Sequence, residues 1–229
     1  IWAAVLTGIA AGGLMGALNG ALIHCTGINF FVLTLASGGM LRGISLMITD
    51  GKPITKFGKA FMQLGIGRIG EFQFPVLFAL TLILLSSPLM FHVKWGNYVQ
   101  ALGGSETALK RSGVRTGFYR ISVHVFLGIT AAVTAVIITA RLNSAEPNAG
   151  MNMELDAITA VIMGGTPIRG GNASIAGTVL AVLILGIIRN GLTLLSVSSD
   201  FQQWVTGFLL LASVLISEIR VWNTRALIK

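Results

Sequence analysis

Residue types that carry out catalysis are sparse in this chain and stand apart from one another. The three histidines, His24, His92 and His124, show no spacing to acidic residues that is typical of a metal site. A single cysteine, Cys25, leaves no disulfide framework within the chain. Residues 65–70 match the dinucleotide pattern GxGxxG, but they follow no predicted strand. We therefore predict no catalytic residue, no metal site and no cofactor bound by this chain.

The most informative polar segment is GGSETALKRSG, at residues 103–113, which predicts a short helix. Ser105 can cap its amino end, and Glu106 complements the positive end of the helix dipole. The two basic residues near its other end complement the negative end, and Gly113 can close the helix in a left-handed conformation. Such a helix could dock onto a cytoplasmic partner, or it could be an ordinary solvated loop helix. The candidate docking residues are Gly103, Gly104, Ser105, Glu106, Ala108, Lys110, Arg111, Ser112 and Gly113.

Two further acids, Glu154 and Asp156, precede a short apolar stretch at residues 157–168. They are candidates for a gate on a transport pathway, although acids at a helix start also serve as simple caps. Four glycines then surround Thr166 and Pro167, which predicts a tight turn after the short stretch.

The composition predicts the elements that must position these residues. Of 229 residues, 54% are hydrophobic and 10% are charged, against roughly 25% charged in a soluble domain, so the apolar excess must face lipid. A spanning helix needs about 20 apolar residues. The first 41 residues carry no charge and allow two spans with a turn near residues 24–29. Further charge-free stretches that are long enough to span are 72–93, 121–140, 170–188 and 201–217.

These stretches predict an all-α, polytopic membrane protein with about seven crossings, one of them short or broken. The loop at 93–120 holds five basic residues against one acid, and the tail holds Arg220, Arg225 and Lys229, so both should be cytoplasmic. If the loop and the tail lie on the same side of the membrane, the chain must cross an even number of times between them. Only three long stretches lie between them, at 121–140, 170–188 and 201–217. The short stretch must therefore cross as well, from the interface or as a broken helix inside the bundle. The net charge of +8 then reflects cytoplasmic loops and not nucleic-acid binding.

The first predicted span has a glycine at every fourth position, which puts one helix face in reach of another helix backbone. These glycines are Gly8, Gly12, Gly16 and Gly20. Apart from Arg42 near an end, the spans carry no Asp, Glu, Lys or Arg, whereas proton and ion relays place such groups inside the membrane. We therefore expect the energy for any transport to come from outside the bundle.

Three stretches resemble the permease subunits of ATP-driven (ABC) sugar importers of the ribose, xylose, arabinose and galactose type. GGSETALKRSGV is similar to the family's cytoplasmic coupling segment, GGNxxAARLSGI. ARLNSAEPNAGMNMELDAITAVIMGGTPIRGGNASIAGT and NGLTLLSVSSDFQQWVTG are similar to two further family patterns. Ser105 stands where the family has Asn, and Leu109-Lys110-Arg111 replace Ala-Arg-Leu, which puts the identity of the ATPase partner in question.

The resemblance implies a single permease domain over 1–229, with the coupling loop at 93–120 inside it and the family's first few helices missing. It also implies a bacterial inner-membrane location among lipid. The implied partners are a second permease subunit, identical or related, two cytoplasmic ATPase subunits that bind ATP and Mg, and a periplasmic sugar-binding protein.

In this interpretation ATP hydrolysis on the partners moves the 105–113 helix, and the bundle switches between outward and inward openings. Neutral polar and aromatic side chains would suffice to line a path for an uncharged sugar. The candidates are Asn29, Phe30, Thr34, Ser37, Thr159 and Met163. Three alternatives stay open: a related permease for branched-chain amino acids or autoinducer-like polyols, a secondary transporter or channel, and a purely structural subunit.

Overall fold

A computed structural model describes residues 1–168 and 170–226, with side chains described as far as residue 219. Lys229 lies outside the described residues, as do the side chains of Arg220 and Arg225. The helices are α1 (Trp2–Thr26), α2 (Phe30–Thr49), α3 (Lys59–Ile66), α4 (Phe74–Phe91), α5 (Lys94–Gly104), α6 (Glu106–Arg111), α7 (Thr116–Leu142), α8 (Met153–Met163), α9 (Ile175–Leu194) and α10 (Ser199–Ala226).

Six of the described helices are long and apolar enough to cross a membrane: α1, α2, α4, α7, α9 and α10. They correspond to the charge-free stretches, and the predicted turn near 24–29 is present, with Gly27 closing α1 at φ 67°. The eleven-residue α8 is the predicted short helix. At 1.5 Å per residue it is about 16 Å long, roughly half the thickness of the hydrocarbon core. The polytopic helical fold is confirmed, whereas a seventh crossing through α8 stays a prediction.

Four two-residue strands add to this helical fold, all of them in loops between helices. Strands β1 (Ile54–Thr55) and β4 (Ser144–Ala145) pair antiparallel, and β2 (Arg68–Ile69) pairs with β3 (Phe72–Gln73) as a hairpin. The GxGxxG run therefore covers the end of α3 and this hairpin. It does not follow a strand and open a helix, as a dinucleotide site requires.

The chain folds as two compact units, each described here separately. Unit 1 comprises residues 1–88 and 107–150, and unit 2 comprises residues 89–106 and the described chain from 151 onward. The chain passes from unit 2 to unit 1 at Glu106–Thr107. That a single permease domain covers 1–229 stays a prediction.

In unit 1 the glycine face of α1 packs against α7. A Cβ atom at Gly12 would lie 2.6 Å from the Gly128 oxygen, and one at Gly20 would lie 2.8 Å from the Ile121 Cα. A Cβ at Gly16 would overlap the His124 carbonyl oxygen, whereas at Gly8 it would meet nothing within 4 Å. Three of the four glycines thus permit the close backbone approach that the sequence predicted.

In unit 2 the short helix α8 packs against α9 and α10. Thr159, Ala160 and Ile162 of α8 are buried there. The amide Nε2 of Gln100 in α5 donates a hydrogen bond of 3.0 Å to the Met90 carbonyl at the end of α4. Since Met90 is the last residue but one of α4, this bond ties α5 to the end of that span.

Candidate coupling segment and transport pathway

The predicted coupling residues lie on two consecutive helices. Gly103 and Gly104 are the last residues of α5, a helix that sequence reasoning missed because it lies in a polar loop. Ser105 separates the two helices in an extended conformation, and its N–H donates to the Ala101 carbonyl at 2.9 Å. The predicted short helix is present as α6, with Glu106 in its first turn.

The end of α6 has the geometry that its sequence predicts. Gly113 has φ 77°, and its N–H donates to the Lys110 carbonyl at 3.0 Å. The N–H of Val114 reaches back to the Leu109 carbonyl at 3.4 Å, which closes the helix in the manner of a glycine C-cap. Leu109 is buried, so α6 is anchored on one side.

The other side of α6 is exposed. Ala108, Lys110, Arg111 and Ser112 are exposed, while Glu106 is half-buried. The two cations lie in the last turn, where they complement the negative end of the helix dipole. A basic, exposed helix end suits an acidic or polar groove on a partner protein.

Within unit 2, the end of α5 contacts the glycine-rich turn between α8 and α9. A Cβ at Gly103 would lie 2.6 Å from the Gly171 nitrogen and 3.1 Å from the Gly170 Cα. Gly170 and Gly171 have φ values of 78° and 97°, which favour glycine. Two glycine pairs 67 positions apart, each inside a stretch that carried the family resemblance, therefore meet backbone to backbone.

Helices α8 and α9 form an antiparallel hairpin that is closed by glycine at the turn. Gly164 packs against Gly177 and Thr178 without room for a side chain at either glycine. The Thr166 hydroxyl oxygen accepts a hydrogen bond of 3.1 Å from the Ser174 N–H, and the Ser174 side chain caps α9. The predicted tight turn is therefore a compact, hydrogen-bonded link.

The opposite end of this hairpin carries an ion pair. Both Glu154 and Asp156 lie in the first turn of α8, behind Asn152 at φ 66°. The Asp156 carboxylate accepts a hydrogen bond of 2.8 Å from Arg189 of α9, and the side chains are 27% and 53% exposed respectively. Sequence reasoning treated Arg189 only as the residue that ends an apolar stretch. The sequence feature that could have identified Arg189 as a functional residue was its position as an isolated charge between two spans.

A cavity of about 310 Å³ lies beside this ion pair, between α8, α9 and α10. Its walls are mostly apolar, and its polar side chains are those of Asp156, Arg189, Gln202 and Thr206. The Gln202 amide Nε2 donates to the Val197 carbonyl at 3.1 Å, which orients that side chain. The cavity thus combines apolar surface with hydrogen-bonding groups, as sites for small neutral ligands do.

The four pathway candidates of unit 1 all lie at the start of α2. Asn29 caps the helix, because its side-chain oxygen accepts a 2.9 Å hydrogen bond from the Phe31 N–H. Phe30, Thr34 and Ser37 are spaced by four and three residues and share one face of α2. The hydroxyls of Thr34 and Ser37 donate to carbonyls one turn back, at 2.8 Å and 3.0 Å.

The two pathway candidates of unit 2 differ in exposure. Thr159 is fully buried at 0% exposure, and its hydroxyl donates to the Leu155 carbonyl at 2.7 Å. It therefore contacts neighbouring helices in this structure and no open space. Met163 is half-buried at the end of α8. Among the residues that the structure describes, no group of three His, Cys, Asp or Glu side chains could hold a metal ion.

The family and the relatives that this chain matches are all described as transport permeases. Residues 1–214 match the family described as branched-chain amino acid transport system / permease component. The ribose import permease protein RbsC of Escherichia coli K12 is 37% identical over 217 residues, which cover 93% of this chain and 68% of that protein. The D-allose and L-arabinose transport system permease proteins of the same organism, AlsC and AraH, are 36% and 30% identical, each over 67% of its length. These alignments cover 95% and 96% of this chain. No solved structure matches the chain.

Proposed function

Because this chain belongs to the family of branched-chain amino acid transport system permease components, we propose that it is the membrane-spanning subunit of an ATP-driven sugar importer. It is a multi-pass protein of the bacterial plasma membrane, as its six apolar helices and its permease relatives indicate. The relatives named for ribose, allose and arabinose support a sugar as the substrate over the branched-chain amino acids of the family description.

The proposed complex contains a second permease subunit, identical or related, two cytoplasmic ATPase subunits and a periplasmic sugar-binding protein. The ATPase subunits bind ATP and Mg and carry out the hydrolysis, whereas the permease contributes no catalytic group. The relative named as an L-arabinose ABC transporter permease protein supports the assignment of transport and ATP hydrolysis to separate subunits. The charge-poor spans support it too, because they offer few groups for a proton relay.

The exposed face of α6 is the proposed contact with the ATPase subunit. It presents two cations on a helix whose other side is anchored by the buried Leu109. An anchored helix passes an applied force to the rest of its unit, whereas a freely solvated loop would absorb it. This anchoring is the observation that favours a coupling role over an ordinary loop helix.

The cavity beside α8 in unit 2 is proposed to form part of the sugar path. Sugars carry hydroxyls that suit Asp, Arg and Gln side chains, and carbon faces that suit apolar walls. The unit 2 cavity offers both kinds of surface. Short helices within membrane bundles also favour a pathway at α8.

Reconstitution with the cognate ATPase and binding protein tests this function. Sugar-loaded binding protein should stimulate ATP hydrolysis several-fold, and labelled sugar should enter proteoliposomes only when ATP is supplied on the ATPase side. Uptake that persists without the ATPase and follows a proton gradient would indicate a secondary transporter. Leucine uptake in place of sugar uptake would indicate the amino-acid alternative.

Charge reversal on α6 should uncouple the permease from its ATPase. In the Arg111→Glu variant the new carboxylate would repel an acidic groove on the partner, and like charges in contact cost several kcal/mol. We expect sugar uptake and co-purification of the ATPase to fall at least about tenfold. The matched control is Lys52→Glu, an equal charge change at an exposed residue in a turn of unit 1, which should leave both within about twofold of the parent protein. If Arg111→Glu behaves like Lys52→Glu, α6 is not the contact.

A further inference from the structure

The end of α5 and the turn after α8 form a close contact at which three of four glycines leave little room for a side chain, whereas a Cβ at Gly104 would lie 3.9 Å from the Gly171 Cα. At Gly103, an added Cβ would lie 2.6 Å from the Gly171 nitrogen, a backbone atom that cannot rotate away. In the reverse direction, a Cβ at Gly170 would lie 3.0 Å from the Gly103 Cα, and one at Gly171 would lie 3.2 Å from the Gly104 Cα. The two backbones are therefore in direct contact over two residues on each side.

The turn that receives this contact is firmly joined to α8. The Gly164 and Thr166 N–H groups donate to the carbonyls of Ala160 and Val161 at 2.9 Å and 3.1 Å. The Gly170 N–H donates to the Pro167 carbonyl at 2.9 Å. These bonds hold Gly164 and Thr166 to the end of α8 and hold Gly170 to Pro167, which follows Thr166 in the chain, so a displacement of the turn acts on the end of α8.

The other side of the contact is joined to the proposed ATPase-binding helix. Gly104 ends α5, and α6 begins after the single residue Ser105. Because Ser105 is the one residue between the two helices, a displacement of the start of α6 acts first on the end of α5. Gly103 and Gly104 are thereby attached to the element that the ATPase would move.

We propose that the contact between Gly103–Gly104 and Gly170–Gly171 transmits the motion of α6 to the short helix α8. Gly103 and Gly104 would then act inside the permease, on the turn that follows α8, and would not serve as docking surface for the ATPase. In this role all four glycines are positioning residues, because none of them touches the sugar or ATP. The inference rests on the proposed function, since it requires a partner that moves α6.

The first experiment measures the ratio of sugar transported to ATP hydrolysed in the reconstituted transporter carrying Gly103→Ala. Gly103 lies in a helix and has no positive φ, so alanine suits its backbone and the added methyl group acts only on the contact. We expect ATP hydrolysis to remain and the ratio to fall at least about fivefold. The matched control, Gly207→Ala in α10, adds a methyl group where nothing lies within 4 Å and should keep the parent ratio. An unchanged ratio in Gly103→Ala overturns the proposal.

A second experiment tests the same contact with a reversible cross-link, and the reduced protein serves as its own reference. Gly104→Cys and Gly171→Cys are combined with Cys25→Ser, which removes the chain's natural cysteine. A Cβ at Gly104 would lie 3.9 Å from the Gly171 Cα, and one at Gly171 would lie 3.2 Å from the Gly104 Cα, so the two positions are within reach of a disulfide. Oxidation should form the disulfide and stop sugar uptake, and reductant should restore uptake.

The outcomes of the cross-linking experiment separate the two proposals. A cross-linked protein that transports at the rate of the reduced protein shows that the contact does not move, which overturns the transmission proposal. Because a side chain is strained at Gly171, where φ is 97°, a missing disulfide overturns the proposal when the reduced protein takes up sugar at the parent rate. If the parent protein shows no ATP-dependent sugar uptake, the proposed function fails, while disulfide formation still reports whether the contact exists.

Discussion

The Gly16→Ala variant should unfold at a temperature roughly 5–10 °C below that of the parent protein. A methyl group at Gly16 would overlap the His124 carbonyl oxygen and lie 3.1 Å from the Val125 Cα, so α1 and α7 would have to move apart. Overpacking of this kind costs about 1–3 kcal/mol or more, and 1 kcal/mol corresponds to roughly 2–4 °C in a chain of this size. Because both atoms belong to the backbone, no rotamer change can relieve the overlap.

The matched control for this prediction is Gly8→Ala, on the same face of the same helix. A methyl group there meets nothing within 4 Å, so alanine should leave the melting temperature unchanged or raise it slightly through its helix propensity. Melting of the two purified variants in the same detergent, followed by the loss of the monodisperse peak in size-exclusion chromatography, measures the difference. Equal melting temperatures would contradict the close α1–α7 contact.

Breaking the ion pair between Asp156 and Arg189 should reduce sugar uptake at least about tenfold. Either Asp156→Asn or Arg189→Gln leaves one charge without its partner, and a partly exposed pair of this kind contributes about 0.2–1 kcal/mol, so the expected loss comes from the position of the pair and not from stability. The pair joins the first turn of α8 to α9 with a 2.8 Å hydrogen bond, so its loss frees one end of the short helix. Uptake by the reconstituted transporter, at equal protein content, is the measurement.

A charge-swapped double variant distinguishes this pairing from a requirement for either residue alone. Asp156→Arg combined with Arg189→Asp restores opposite charges and should recover a substantial part of the lost uptake, with a coupling energy of about 0.5–3 kcal/mol in the double-mutant cycle. Asp200→Asn, which neutralises an acid in the first turn of α10, is the control and should keep the parent uptake. If the swapped variant loses as much uptake as the two single changes predict together, the two side chains act independently.

Several features of the candidate site followed from local sequence. The helix capped by Gly113 and the short helix that begins with Glu154 and Asp156 are both present, because capping and dipole preferences act within one or two turns. The turn around Thr166 and Pro167 is present for the same reason, since its glycines permit positive φ. The sequence did not reveal α5, because its mixed polar and apolar residues resemble a loop.

The spans themselves depend on hydropathy and length, which are additive along the chain, and sequence was therefore sufficient to predict the six long apolar helices. That the short helix makes a seventh crossing stays a prediction. The partners of these elements depend on contacts between distant residues, and no local pattern specifies those. Only the tertiary structure shows that the α1 glycines face α7, that Arg189 pairs with Asp156, and that Gly103 contacts Gly171. A glycine face or an isolated charge indicates that another element lies close by, but which element that is depends on the packing of the whole unit.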